Sequence, residues 1–211
     1  MAQSFSQLDR GMTIYGPVAT IDTDNLVGVD NEGAEVVFDD VDFTHPSLKL
    51  RSMRKLRARL MRNMSGITIA ANRLVTHMAG YRNRRFDGYS CLTGQMVAGV
   101  IDPCLTNGVR HGDACWVFYG GPIQVYTGLV LADDIEAGSW AVAITAANST
   151  ADTGGGKVDA IVAANEFTTT DVTDGTLGKF IDASLNRIGV FEEAAASTTA
   201  ANTLKYVDLK L

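Results

Sequence analysis

Leu48-Lys49-Leu50-Arg51-Ser52-Met53-Arg54-Lys55-Leu56-Arg57-Ala58-Arg59-Leu60-Met61-Arg62-Asn63-Met64 is the stretch on which the architecture turns. Met53, Leu56, Leu60 and Met64 recur at i, i+3, i+7 and i+11, a spacing that predicts an amphipathic helix over roughly 48–64. Pro46 stands where a helix tolerates a missing N–H, and Gly66 stands where one commonly ends. About 15 helical residues would span about 22 Å. Lys49, Arg51, Arg54 and Lys55 load the first half with positive charge, at the end where the macrodipole favours acids. Local helix stability is therefore not what these residues serve.

Working outward, the charges fall into three blocks. Residues 1–48 carry nine acids against Arg10 alone; residues 49–85 carry eleven bases and no acid; residues 86–211 carry fifteen acids and six bases. The net charge of -6 over 211 residues is a near-cancellation of opposed segments. An asymmetry of this kind marks an interaction surface. Lys49, Arg51, Arg54, Lys55, Arg57, Arg59, Arg62, Arg82, Arg84 and Arg85 are the candidate partner-binding residues. Tyr81, Phe86 and Tyr89 interleave with the last three, a mixture able to stack bases or to anchor a protein interface.

Residues 1–20 are polar, contain Gly11, Gly16 and Pro17, and show no sustained period, so they are expected to form an extended arm ordered by a neighbour. Leu26-Val27-Gly28-Val29, a turn at 30–33, and Ala34-Glu35-Val36-Val37-Phe38 read as a small acidic hairpin. From Ile67 onward the apolar segments are short, β-branched or aromatic, and punctuated by glycine. They lie at 67–69, 73–78, 96–101, 115–119, 123–126, 140–144, 158–162, 187–191 and 204–209. Many short strands separated by Gly, Asn and Asp predict a mainly β fold, a compact β-barrel or sandwich, over residues 66–211. The expected organisation is a docking extension at 1–65 (arm, acidic hairpin, basic amphipathic helix) followed by that β-rich domain. Ala/Thr/Ser/Gly-rich stretches at 146–156, 168–178 and 194–202 read as surface loops.

Other signals fall to their simpler readings. No apolar run approaches the roughly 18 residues of a membrane span, and the first residues lack the basic and apolar regions of a secretory signal, so assembly in the cytosol is expected. Cys91, Cys104 and Cys115 are an odd number without a C-x-x-C, which fits reduced core thiols. The sequons at Asn63 and Asn148 have no meaning without a secretory route. Gly154-Gly155-Gly156-Lys157-Val158 lacks both the first glycine and the hydroxyl of a phosphate loop, and reads as a glycine turn entering a strand. The acids at 22–32 break calcium-loop spacing at Leu26. His45, His77 and His111 are too far apart in sequence for a helical metal pair and read as capping or core residues. No nucleophile elbow is present, so no catalytic residue, cofactor or metal is expected and the chain is not read as an enzyme.

Ser65-Gly66-Ile67, Arg73-Leu74-Val75-Thr76, Asp87-Gly88-Tyr89, Ala98-Gly99-Val100-Ile101-Asp102, Gly112-Asp113-Ala114-Cys115-Trp116-Val117, Gly120-Gly121-Pro122 and Asn186-Arg187-Ile188-Gly189-Val190-Phe191 follow one another in an order and texture that resembles the capsid decoration, or cement, proteins of tailed bacteriophages. The resemblance covers about 64–211 and leaves 1–63 outside. In such proteins a "G-D" turn leads into one strand and a "G-P" turn into the next, ahead of a closing "R-I-G" strand. What it implies is a structural virion protein that binds the outer surface of an assembled icosahedral capsid and bridges neighbouring capsomers. The implied partners are the major capsid protein and other copies of the chain, as a trimer in preference to a dimer, with no cofactor and no membrane. The alternative is a nucleic-acid-binding protein using 49–85, against which the acidic flanks weigh.

Overall fold

The computed structural model describes residues 32–41, 49–88, 96–127, 135–143, 156–160, 187–194 and 203–211. Their regular structure is entirely β. In chain order the strands are β1 (Glu35–Val41), β2 (Leu50–Asn63), β3 (Leu74–His77), β4 (Arg85–Gly88), β5 (Val97–Ile101), β6 (Ala114–Tyr126), β7 (Trp140–Ala143), β8 (Val158–Ala160), β9 (Arg187–Phe191) and β10 (Leu204–Lys210). They form one sheet in the order β1-β2-β4-β3-β5-β6-β10-β9-β7-β8, with a further pairing of β2 to β6.

The helix expected over 48–64 is replaced by β2, a strand of 14 residues that at about 3.3 Å per residue runs about 45 Å. Leu56, Ala58 and Leu60 are buried while Arg57 is exposed and Arg59 half-buried, which is the period of two that a half-buried strand requires. Backbone groups are satisfied from both sides. Residues 55–59 pair antiparallel with 35–39 of β1, residues 57–62 pair antiparallel with β6, and Arg62 and Asn63 run parallel to Arg85 and Phe86 of β4. Helical hydrogen bonding would forgo all of these long-range pairings.

Residues 50–63, grouped by sequence with the docking extension, are therefore central to the sheet that also holds residues from 66 onward. The arm, the first strand of the acidic hairpin and the turn residues up to Asn31 lie outside the described residues. The second strand of that hairpin is present as β1, paired to β2.

The pairings β2–β4, β4–β3, β3–β5, β5–β6 and β6–β2 return to their starting strand. One buried cluster draws Met61, Val75, Phe86, Ala98, Ile101, Cys115 and Val117 from these five strands, together with Ile69, Leu105 and Val109 from the connections. The alternate side chains of the same strands, such as Leu60, Leu74, Val100, Trp116 and Phe118, belong to a second cluster shared with β1, β7, β9 and β10. Phe38 of β1 packs edge-on against Trp116 at a centroid distance of 5.6 Å, which fastens the margin strand to the core.

The two strands expected at 115–119 and 123–126 are a single strand, β6. Gly120-Gly121-Pro122 is not a turn between strands but the place where β6 changes partner, pairing with β2 over 114–120 and with β10 over 120–126. Gly121 has φ +90°, and a Cβ there would fall on the Lys55 carbonyl oxygen, so only glycine lets the two backbones approach. β4 was not foreseen as a strand. Of the expected segment 67–69, only Ile69 makes a β-bridge, to Val109.

Candidate functional site

The antiparallel register places acids and bases opposite one another. Glu35 faces Arg59 and Asp39 faces Lys55 across β1 and β2. Arg59 donates from Nε to Glu35 at 2.6 Å and from Nη1 to the side-chain Oδ1 of Asn83 at 2.9 Å, and its guanidinium lies 4.0 Å above the Tyr119 ring. Lys55 bonds Asp39. Arg51 donates to Asp40 at 3.0 Å, stacks on Tyr206 at 3.8 Å, and shares Asp40 with the Ser52 hydroxyl, which donates at 2.6 Å. Arg54 bonds Glu192, just beyond β9.

At the far end of β2 the pairing is buried. Glu32 is fully enclosed and accepts from Arg62 Nε through one carboxylate oxygen and from Arg85 Nε, at 3.0 Å, through the other. Arg62 also donates to the Gly112 carbonyl, and Arg85 lies 4.2 Å above the Tyr81 ring. Arg62 and Arg85 are side-by-side partners in parallel strands, so one carboxylate separates two like charges that would otherwise share a dry site. Nη2 of Arg62 and Nη1 of Arg85 have no acceptor among the described residues, which makes Glu32 harder to replace.

Of the ten cations singled out from sequence, six are thus bridged to acids of the same chain: Arg51, Arg54, Lys55, Arg59, Arg62 and Arg85. Lys49, Arg57, Arg82 and Arg84 are exposed and make no ion pair among the described residues. Arg57 faces Val37 across the β1–β2 ladder, and Val37 is 60% exposed. Arg82 and Arg84 flank Asn83, whose φ of +64° shapes the turn that presents them. The Arg59–Asn83 bond ties that turn to the outer face of β2. The Arg84 stem lies beside Gly33, at the start of β1. One face of the sheet therefore carries Val37, Arg57, Arg82 and Arg84 around the paired Glu35 and Arg59.

The electrostatics of individual groups follow their surroundings. The bond from Arg59 holds the Glu35 carboxyl below its ordinary range, and Glu192 raises Arg54 further. Burial, opposed by Arg110, pushes the Asp113 carboxyl up, and burial with the nearby Glu35 raises the Tyr119 hydroxyl. His77 is lowered by burial and by Arg82 and Arg59. Its Nδ1 accepts from the Asn83 N–H at 3.2 Å, and Nδ1 of His111 accepts from the Gly66 N–H at 3.0 Å, so both histidines cap turns.

Cys115 is a buried thiol raised by that burial, and Cys104 is half-buried; Cys91 and His45 lie outside the described residues. Gly156 has φ +79° and precedes a buried Lys157 at the entry to β8; Gly154 and Gly155 of the expected glycine turn lie outside the described residues. Among the described residues no group of three His, Cys, Asp or Glu is placed to hold a metal, and no helix is long and apolar enough to cross a membrane.

Sequence reasoning passed over Val37, Tyr119 and Glu192. The hairpin pattern gives Val37 no face, since only the register with β2 shows which side is outward. Glu192 meets Arg54 across 138 positions of chain, a distance that no local pattern reports. Neither the protein-family models nor the curated proteins contain a match to this chain.

Proposed function

We propose that the chain is a structural virion protein that binds the outer surface of an assembled icosahedral capsid and cements neighbouring capsomers. The observation that carries the reading is where the decoration-protein-like segments fall. Arg73 to Thr76 leads into and forms β3, Ala98 to Asp102 runs along β5, Gly112 to Val117 enters β6, and Arg187 to Phe191 is β9, all in one sheet. The closed run of pairings from β2 through β4, β3, β5 and β6 is read as a small barrel, with β1 and β7–β10 extending from it. Residues 1–20 are assigned the docking arm, and a trimer is the favoured assembly.

Such a protein acts by linkage. Binding only the assembled lattice deepens that state by about 2.7 kcal/mol per site at a concentration of 100 Kd, and repetition over a shell multiplies modest affinity. The nucleic-acid reading loses support from the ion pairs, since most of the basic block is neutralised by the chain's own carboxylates.

Co-sedimentation of the purified protein with empty shells of the corresponding major capsid protein tests the proposal. Saturable binding to shells, with no binding to unassembled capsid subunits, is expected. Failure to bind shells, accompanied by strongly salt-dependent binding to duplex DNA, would replace it with the alternative.

A further inference from the structure

We infer that Arg57, Arg82 and Arg84, grouped about the exposed Val37, form a docking surface for a carboxylate-bearing protein surface, and that the six cations bridged to the chain's own acids serve the fold. This rests on the proposed capsid function and narrows it from ten candidate residues to three.

Geometry makes the three a single patch. Arg57 sits opposite Val37 in the β1–β2 register, the Arg84 stem crosses the start of β1 at Gly33, and Arg59 bonds the Asn83 turn that carries Arg82. All three side chains are exposed and none meets a carboxylate among the described residues. Five cations on this face (Lys55, Arg57, Arg59, Arg82 and Arg84) outnumber the carboxylates Glu35 and Asp39, leaving it positive.

Charge complementarity fixes the chemistry of the partner as anionic, and two features favour protein over phosphate. Glu35 and Asp39 stand within the patch and would face a polyphosphate backbone at close range. A carboxylate-bearing protein surface can be placed residue by residue to avoid them. Val37 offers an apolar centre inside a polar, charged rim, the arrangement in which protein interfaces concentrate their binding energy. Rim arginines would then set register and the rate of encounter.

The experiment compares wild type, R57E/R82E/R84E and V37S for binding to empty shells and, separately, to duplex DNA across a salt series. Thermal unfolding serves as the check on folding, and R57Q/R82Q/R84Q replaces the charge reversal if the latter is unstable. At least tenfold weaker shell binding by the triple variant, and a severalfold loss for V37S, are expected. Shell binding by the wild type that the triple variant retains in full overturns this surface while leaving the capsid function standing. No shell binding by the wild type overturns both. Salt-sensitive DNA binding that the triple variant abolishes assigns the patch to phosphate and overturns the protein partner.

Discussion

The two halves of β2 carry the same kind of side chain into opposite surroundings. Toward its start, Arg54 and Lys55 meet Glu192 and Asp39 at or near solvent, and Arg51 reaches from the surface to the buried Asp40. Toward its end, Arg62 joins Arg85 on the enclosed Glu32, within the strands that pair in a closed circuit. Water reaches the Arg54 and Lys55 pairs and could replace either partner, whereas the Asp40 carboxylate beside Arg51 is buried. In the second half, Glu32 is the carboxylate bridged to both guanidiniums among the described residues. A run of cations that looks uniform in sequence thus divides into exchangeable surface pairs, a structural centre, and the few unpaired arginines left for an interface.

The largest expected effect is at the buried end. Glu32→Gln keeps the shape but leaves two adjacent guanidiniums uncompensated, and should lower the unfolding free energy by about 3–5 kcal/mol. Urea denaturation measures it; a loss below about 1 kcal/mol would erase the distinction between the halves. Next comes the point where β6 leaves β2. Gly121→Ala combines a left-handed φ with a clash on the Lys55 carbonyl and should cost about 2 kcal/mol or more, read from the same titrations.

Lys55→Ala, by contrast, breaks an exposed cross-strand pair and should cost less than about 1 kcal/mol, most of which disappears in 1 M salt. A cost that salt leaves unchanged would mean that the pair behaves like the buried one.

Two carboxylates sharpen the contrast through pH. Glu35 is held below its ordinary value by Arg59, so its contribution is full above the unfolded pKa and is lost as pH falls through the folded one. Asp113 is held above its ordinary value by burial, so its ionised form costs stability above the folded pKa and the cost vanishes below the unfolded one. Glu35→Gln should therefore be destabilising near pH 7, and Asp113→Asn stabilising there. Both differences should shrink toward about pH 3, as measured by unfolding at the two pH values. Parallel changes of the same sign would contradict the assigned surroundings.

The β class was legible from composition and punctuation. The segments around 74–77, 97–101, 140–143, 158–160, 187–191 and 204–210 are strands as their β-branched and aromatic residues predict. β4 escaped because Arg85-Phe86-Asp87-Gly88 is mostly polar, and its burial comes from Phe86 in the inner cluster and from Glu32 beneath Arg85. The basic block was legible as a peculiarity, but its use was not. Six of its cations find acids at sequence separations from 11 to 138, and cross-strand register is not written in either segment alone.

A β-rich chain with opposed charge blocks is written into the order of residues, because strand propensity, turn residues and net charge are local properties. Whether 50–63 is helix or strand was decided by tertiary structure. Met53, Leu56, Leu60 and Met64 satisfy a helical period, and Leu56, Ala58 and Leu60 satisfy a strand period, so the pattern supports both. The cationic start weakened the helix, and β1, β4 and β6 supplied backbone partners along both edges of the strand. Hydrogen bonds and carboxylates distant in the chain made the choice, and the same folding step left Arg57, Arg82 and Arg84 without partners of their own among the described residues.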